Sequence, residues 1–180
     1  MEGFRPGSYP QVVRGGASYH QMHQWTLERL QYLETRYQQQ TSHDMTTQLI
    51  RMDFDNTLRN YHRYVIQDHL GAHYREQGIT AQDRTEFEHV IPIRVIREAV
   101  FTGRMSIQRA LNVPTCDLRS SLHKRLGQTG YRDDTPCPFW FWRRYQDLGI
   151  KICTRDGQAV DLSTWNLETH YKHFDQFEIS

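Results

Sequence analysis

The sequence predicts an α+β protein: a helical N-terminal part, then a small ββα-like site, a C-terminal hairpin and a final helix. Three observations carry this prediction. Apolar residues recur at helical spacing over residues 18–77. Short apolar runs typical of strands occupy residues 85–93 and 113–118. A strong turn signal, Asp156-Gly157, separates two further strand-like segments.

The domain organisation follows from the same patterns. Residues 1–17, which are rich in proline and glycine, predict an extended N-terminal arm. We expect a single domain over residues 18–180, because no repeat or linker interrupts it. Its parts are a helical hairpin, a ββα-like site, and a segment with aromatic residues, a hairpin and a final helix: residues 18–78, 85–126 and 136–180, respectively.

The first two helices are the longest predicted elements. Ser18 begins a helix that is expected to run to about Gln40, with apolar residues every three to four positions. The second helix is expected from about Met45 to Gln77, with Gly78 as its C-cap. Together they predict an antiparallel pair of helices.

Shorter elements follow. The strand of residues 85–93 precedes a helix over residues 94–102, and Ser106 caps another short helix. The strand of residues 113–118 leads into a helix at Ser120 or Ser121.

The C-terminal part has three predicted elements. Residues 139–148 form an aromatic helix or core segment, and residues 150–162 form the hairpin. Ser163 caps the final helix.

Composition restricts the class of protein. The chain has 180 residues, of which 37% are hydrophobic, and no apolar run approaches the roughly 20 residues that span a membrane. The N-terminus has no apolar stretch typical of a signal peptide. Three widely spaced cysteines favour a reducing compartment over a disulfide framework: Cys116, Cys137 and Cys153. We expect a soluble, cytoplasmic protein without a membrane partner.

Charge is unevenly distributed along the chain. The net charge is +1, yet residues 104–155 hold ten Lys/Arg and only four Asp/Glu. A basic segment of this kind suits a polyanion such as nucleic acid, and the alternative is a solvated basic face.

One ordered set of residues combines the groups needed for phosphodiester hydrolysis: Glu88, His89, Asn112 and His123. Such a reaction needs a base that activates water, a divalent cation and a group that orients the base. His89 is the candidate base and Asn112 its orienting partner, while Glu88 and His123 are candidate metal ligands. Adjacent strand residues point to opposite faces, so Glu88 and His89 serve one site only if the chain bends near Pro92.

At these residues the sequence resembles the HNH, or ββα-metal, nuclease family over residues 85–126. The resemblance implies that His89 is the general base, Asn112 the orienting residue, and Glu88 and His123 the metal ligands. It implies a DNA endonuclease, and with it a phage-encoded, mobile-element or restriction protein. Mg²⁺ or Mn²⁺ is the expected metal, with Zn²⁺ and Ni²⁺ as alternatives.

We expect double-stranded DNA as substrate. The expected DNA-binding residues are basic and lie within the basic segment: Arg119, Lys124, Arg125, Arg132, Arg143 and Arg144. A homodimer through the helices of residues 18–77 would suit symmetric cutting.

Several alternatives stay open. A competing alignment uses Asn166 and His170 of the final helix, and a further reading pairs Cys116 with a histidine as a catalytic dyad. His89 and His123 are otherwise an ordinary core histidine and a surface histidine. The rival function is non-enzymatic: a nucleic-acid-binding or assembly protein, for instance a virion or regulatory component.

Overall fold

A computed structural model describes residues 18–42, 44–131, 135 and 140–174, except for the side chains of Tyr19 and His69. The expected arm of residues 1–17 lies outside the described residues. The α+β class is confirmed: within the described ranges, helices come first and a four-stranded sheet follows. Two compact units contain these elements, one helical and one built on the sheet. The expectation of a single domain over residues 18–180 stays a prediction.

The helical unit contains residues 18–70 and 93–112 of the described chain. Its elements are four α-helices and a π-helical segment: α1 Tyr19–Gln38, α2 Met45–Tyr61, the π-helical segment His62–Leu70, α3 Ile93–Phe101 and α4 Ile107–Leu111.

Local capping explains where the helices of this unit begin. Ser18 and Gln21 form a capping box at the start of α1, each side chain accepting a hydrogen bond from the other residue's backbone N–H. The Asp44 carboxylate caps α2 by accepting a hydrogen bond from Thr47 N at 3.1 Å. The Ser106 hydroxyl caps α4 as predicted.

The second helix is shorter than predicted. α2 ends at Tyr61, the π-helical segment ends at Leu70, and Gly71 then adopts a left-handed conformation with φ of 76°. The residues that were expected to continue the helix to Gln77 include a strand of the sheet.

The sheet unit contains residues 71–92 and, where described, 113–174. Its strands are β1 Tyr74–Glu76, β2 Thr85–His89, β3 Thr115–Arg119 and β4 Ile152–Thr154. Its helices are α5 Ser120–Gln128, α6 Arg143–Asp147 and α7 Leu167–Phe174.

Strand order in the sheet is β2-β3-β1-β4, so β2 and β4 are the edges. β3 runs antiparallel to β2 and parallel to β1, and β4 runs antiparallel to β1. The register aligns four residues in one row across one face of the sheet, because directly paired residues share a face. We call them the central row: Glu88, Cys116, Tyr74 and Thr154. All four are buried, so the core of this unit lies on their face.

The C-terminal elements agree with the sequence in type and differ in detail. Gly157 turns the chain after β4 with φ of 96°, and Cys153 then bridges to Ala159 in antiparallel sense, as a hairpin requires. The final helix is capped by Asn166, whose Oδ1 accepts from Thr169 N at 2.9 Å, and not by Ser163. Among the described residues, no helix combines the length and apolar character that crossing a membrane requires.

Candidate active site at the edge strand

Two strands and a helix form the framework of the candidate site. β2 pairs antiparallel with β3 along its whole length, and α5 begins at Ser120, directly after β3. α5 packs against both strands. A strand, its antiparallel partner and the helix that follows the partner therefore form one ββα arrangement.

Glu88 and His123 meet between β2 and α5. The distance from Glu88 Oε2 to His123 Nε2 is 3.0 Å. The His123 side chain is 29% exposed and the Glu88 side chain 10% exposed. The two residues that were predicted as metal ligands are thus in contact, with the imidazole reachable from solvent.

Arg144 holds the other oxygen of the Glu88 carboxylate. Its Nη2 lies 2.5 Å from Glu88 Oε1 and also donates to the backbone oxygen of His89, while Nη1 donates to Tyr131 O at 2.6 Å. The Arg144 side chain is fully buried. The expectation that Arg144 grips DNA is therefore corrected: its charge neutralises a buried carboxylate and fixes one oxygen of that carboxylate in place.

His89 is the last residue of β2. Its ring packs edge-on against Phe87, with centroids 5.5 Å apart, so these two side chains share one face of the strand. Glu88 points to the opposite face, towards α5. The chain bends at Val90 and Ile91, near Pro92 as expected but after both residues, so Glu88 and His89 keep opposite faces of β2.

Asn112 lies in the helical unit, where it is the C-cap residue of α4. Its role as the group that orients His89 stays a prediction.

The expected DNA-binding residues have different surroundings. Lys124 and Arg125 are exposed and follow His123 directly on α5. Arg119 is bound to acidic partners: Nη1 contacts Glu76, and Nε lies 3.1 Å from Asp83 Oδ1. Through these contacts Arg119 stabilises the turn that follows β1.

Two further expected DNA-binding residues complete this set. Arg143 is 57% exposed and pairs with Asp147 at 2.8 Å on α6. Arg132 lies outside the described residues.

Two alternatives lose their basis in this geometry. His170 is fully buried, and its Nδ1 lies 2.8 Å from Tyr74 Oη. It therefore belongs to the core beside Tyr74, two strands away from Glu88. Cys116 is also fully buried, and burial raises the pKa of its thiol well above the usual value. A buried neutral thiol is a poor nucleophile, so the Cys116 dyad is not favoured.

Sequence reasoning did not single out Asp117. It pairs directly with Phe87, and His89 is therefore its diagonal neighbour on the same face of the sheet. Burial raises the pKa of the Asp117 carboxyl. The sequence carries one signal for Asp117, the alternation of polar residues along β3. Thr115, Asp117 and Arg119 share one face of that strand.

The donor set at Glu88 and His123 fits a divalent cation. Glu88 Oε2 on β2 and His123 Nε2 on α5 lie 3.0 Å apart, close enough to contact one ion. Arg144 contacts the other carboxylate oxygen, Glu88 Oε1. Mg²⁺ keeps several waters and is often bound by one or two carboxylates besides substrate phosphates, whereas an imidazole ligand suits Zn²⁺ or Ni²⁺. No group of three or more His, Cys, Asp or Glu suited to a metal occurs among the described residues.

Comparisons with protein-family models, with curated proteins and with solved structures returned no match to this chain.

Proposed function

We propose that this chain is a metal-dependent endonuclease of the HNH type that hydrolyses DNA phosphodiester bonds. The observation that carries the proposal is the 3.0 Å contact between Glu88 Oε2 and His123 Nε2 within a strand–strand–helix arrangement. These two residues lie 35 positions apart in sequence, on different elements. Their meeting at a partly exposed place is what a shared metal ion requires.

Each residue has a distinct role in the proposed reaction. Glu88 and His123 would hold the divalent cation, and Arg144 fixes the position of the Glu88 carboxylate. We assign His89, at the end of β2, as the acceptor of the proton of the attacking water; because its ring lies on the face opposite Glu88, this role requires the end of the strand to turn when DNA binds. A cation held there would supply charge stabilisation for the phosphate oxygens and the leaving oxygen.

Substrate binding is assigned to the surface beside His123. Lys124 and Arg125 are exposed on the same helix, one and two positions after the proposed ligand. Arg143 adds a further exposed cation on α6. Cations next to a metal-binding pair suit a phosphate backbone, which carries affinity without reading sequence.

Cleavage of supercoiled plasmid tests the reaction. We expect nicking with Mg²⁺ or Mn²⁺ and none with EDTA, and a loss on the order of 100- to 10,000-fold in His89→Ala. His20→Ala is the matched control, because His20 is an exposed histidine of the helical unit. Equal background nicking by wild type, His89→Ala and the EDTA sample would contradict the proposal. DNA binding without cleavage would favour the non-enzymatic alternative.

Metal binding is measured separately from cleavage. Electron paramagnetic resonance of Mn²⁺ reports the free ion, so titration gives an affinity without any substrate. We expect His123→Ala to weaken Mn²⁺ binding by on the order of 100-fold. His173→Ala is the control, because His173 lies on α7 near Asp156. Unchanged Mn²⁺ affinity in His123→Ala would refute the assigned ligand.

A further inference from the structure

The helical unit exposes large apolar side chains on two neighbouring helices. Each is at least 51% exposed, whereas large apolar residues of this unit are otherwise mostly buried. They are Trp25, Tyr32, Met45, Leu49 and Met52, and we call them the outer stripe.

Helical spacing places the outer stripe on one side of each helix. Trp25 and Tyr32 lie seven residues apart on α1, and the three α2 residues lie at positions i, i+4 and i+7. The buried residues of the same helices lie a quarter of a turn or more away on α1 and about half a turn away on α2: Leu30, Leu33, Ile50, Phe54 and Leu58. The stripe therefore faces away from the core of the unit.

α1 and α2 lie side by side and antiparallel. Arg29 pairs with Asp53, and His23 Nδ1 lies 2.9 Å from Tyr61 Oη. Early residues of α1 thus meet late residues of α2. The two halves of the stripe belong to one two-helix layer, and exposed large apolar side chains of this kind mark interaction sites.

Charge along α1 is complementary to itself. Glu28 precedes Tyr32 by four residues and Arg36 follows it by four, so both lie on the side of the helix that carries the stripe. Two copies of α1 that cross antiparallel with Tyr32 on a two-fold axis bring Glu28 of each copy opposite Arg36 of the other. Gln24 Nε2 donates to Glu28 Oε1 at 2.6 Å, and Arg36 has no ion pair within the described part of the chain.

We propose that the outer stripe is the interface of an isologous homodimer, centred on Tyr32. An isologous interface needs a patch that complements itself, and the Glu28–Tyr32–Arg36 order has this property. The two helices, 20 and 17 residues long, present a face of roughly 30 Å by 20 Å. That size approaches the roughly 800 Å² per partner of a standard interface. The proposal does not depend on nuclease activity.

Sedimentation equilibrium of the full chain from 1 to 100 µM tests the dimer. We expect a mass of twice the 21.6-kDa chain at the upper concentrations. Tyr32→Glu should weaken association by at least about tenfold, because it buries two like charges at the axis. Gln31→Glu adds the same charge at the next position, a quarter turn or more away, and should leave the affinity within about threefold. A monomer at every concentration, or a dimer insensitive to Tyr32→Glu, overturns the proposal.

Charge exchange tests the arrangement itself. Glu28→Arg and Arg36→Glu each oppose like charges at both symmetric positions, and each should weaken the dimer several-fold. The double variant restores opposite charges, so its affinity should return towards wild type. All these positions are exposed, and circular dichroism confirms that each variant is folded. A double variant no tighter than the weaker single variant overturns the antiparallel pairing.

Discussion

Two residues of the central row, Glu88 and Tyr74, each contact a histidine. The surroundings of these two histidines differ in charge and in exposure to solvent. At the edge strand, Glu88 contacts the part-exposed His123 and the buried cation of Arg144. Two strands away, the Tyr74 hydroxyl lies 2.8 Å from Nδ1 of the fully buried His170 and accepts a hydrogen bond from Trp165 Nε1.

This difference shows how position in a sheet decides what a histidine can do. At the Tyr74 end the hydrogen-bond partners of the hydroxyl are aromatic side chains, and burial raises the pKa of Tyr74. His170 is enclosed by the rings of Tyr74, His73 and Phe174, and it stabilises packing. At the Glu88 end the edge of the sheet leaves one donor pair near solvent. The same residue type is therefore enclosed by packing at one position and partly exposed to solvent at the other.

Arg144→Met should have the largest effect on stability, because the Glu88 end depends on charge compensation. Removing one partner of a buried pair leaves the Glu88 carboxylate without its cation, at a cost of about 3–5 kcal/mol in the free energy of unfolding. Urea denaturation measures this loss.

Arg143→Met is the matched control for that variant. Arg143 is the preceding residue, yet it is 57% exposed and pairs only with Asp147. Its loss should cost less than about 0.5 kcal/mol. Equal effects of the two substitutions would show that Arg144 does not compensate Glu88.

A pair of histidine substitutions separates the two ends of the row. His170→Ala leaves a cavity and removes a hydrogen-bond partner of Tyr74, so we expect a loss of about 3 kcal/mol in the free energy of unfolding. His123→Ala should cost less than about 1 kcal/mol, since its side chain is 29% exposed.

Metal affinity should respond in the opposite way. Folded His170→Ala should bind Mn²⁺ like wild type, whereas His123→Ala should not. Urea denaturation gives the stability of each variant, and Mn²⁺ titration gives its metal affinity. If His170→Ala weakened Mn²⁺ binding as strongly as His123→Ala, the distinction between a structural and a ligand-binding cluster would be wrong.

The sequence predicted element types well where the signal is local. Apolar spacing and capping residues predicted α1, the start of α2 and α4, because helical hydrogen bonds join near neighbours. β1 was missed. It has only three residues, and its backbone hydrogen bonds go to β3 and β4, which lie far along the chain.

The candidate site, like the fold, was only partly predictable from the sequence. The order of Glu88, His89, Asn112 and His123 pointed to a shared site. The structure brings Glu88 and His123 together, while the His89 ring lies on the opposite face of β2. Nothing local indicated that Arg144, 56 residues after Glu88, would be buried against it. The one available signal was its place between two aromatic residues that are themselves buried, Trp142 and Tyr145.

The helical unit also contains a buried histidine, and its burial predicts how the stability of this unit depends on pH. His62 is fully buried beside Leu111 O, 3.1 Å from its Nε2, and burial lowers its pKa to about 4. The unfolded chain takes up a proton near pH 6.5, while folded His62 stays neutral. Stability of this unit should therefore be complete above pH 6.5 and fall as the pH drops towards 4, by about 2 kcal/mol between pH 7.5 and 5.

His62→Gln checks this origin of the pH dependence, since an amide retains a donor for Leu111 O and does not titrate. Urea denaturation at pH 7.5 and pH 5 should show the wild-type decrease reduced by about 2 kcal/mol in the variant. His20→Gln, at an exposed position, should keep the wild-type decrease. If His62→Gln lost as much stability as wild type on acidification, His62 would not be held neutral by burial, and the structural histidines would have to be sought among His73 and His170 alone.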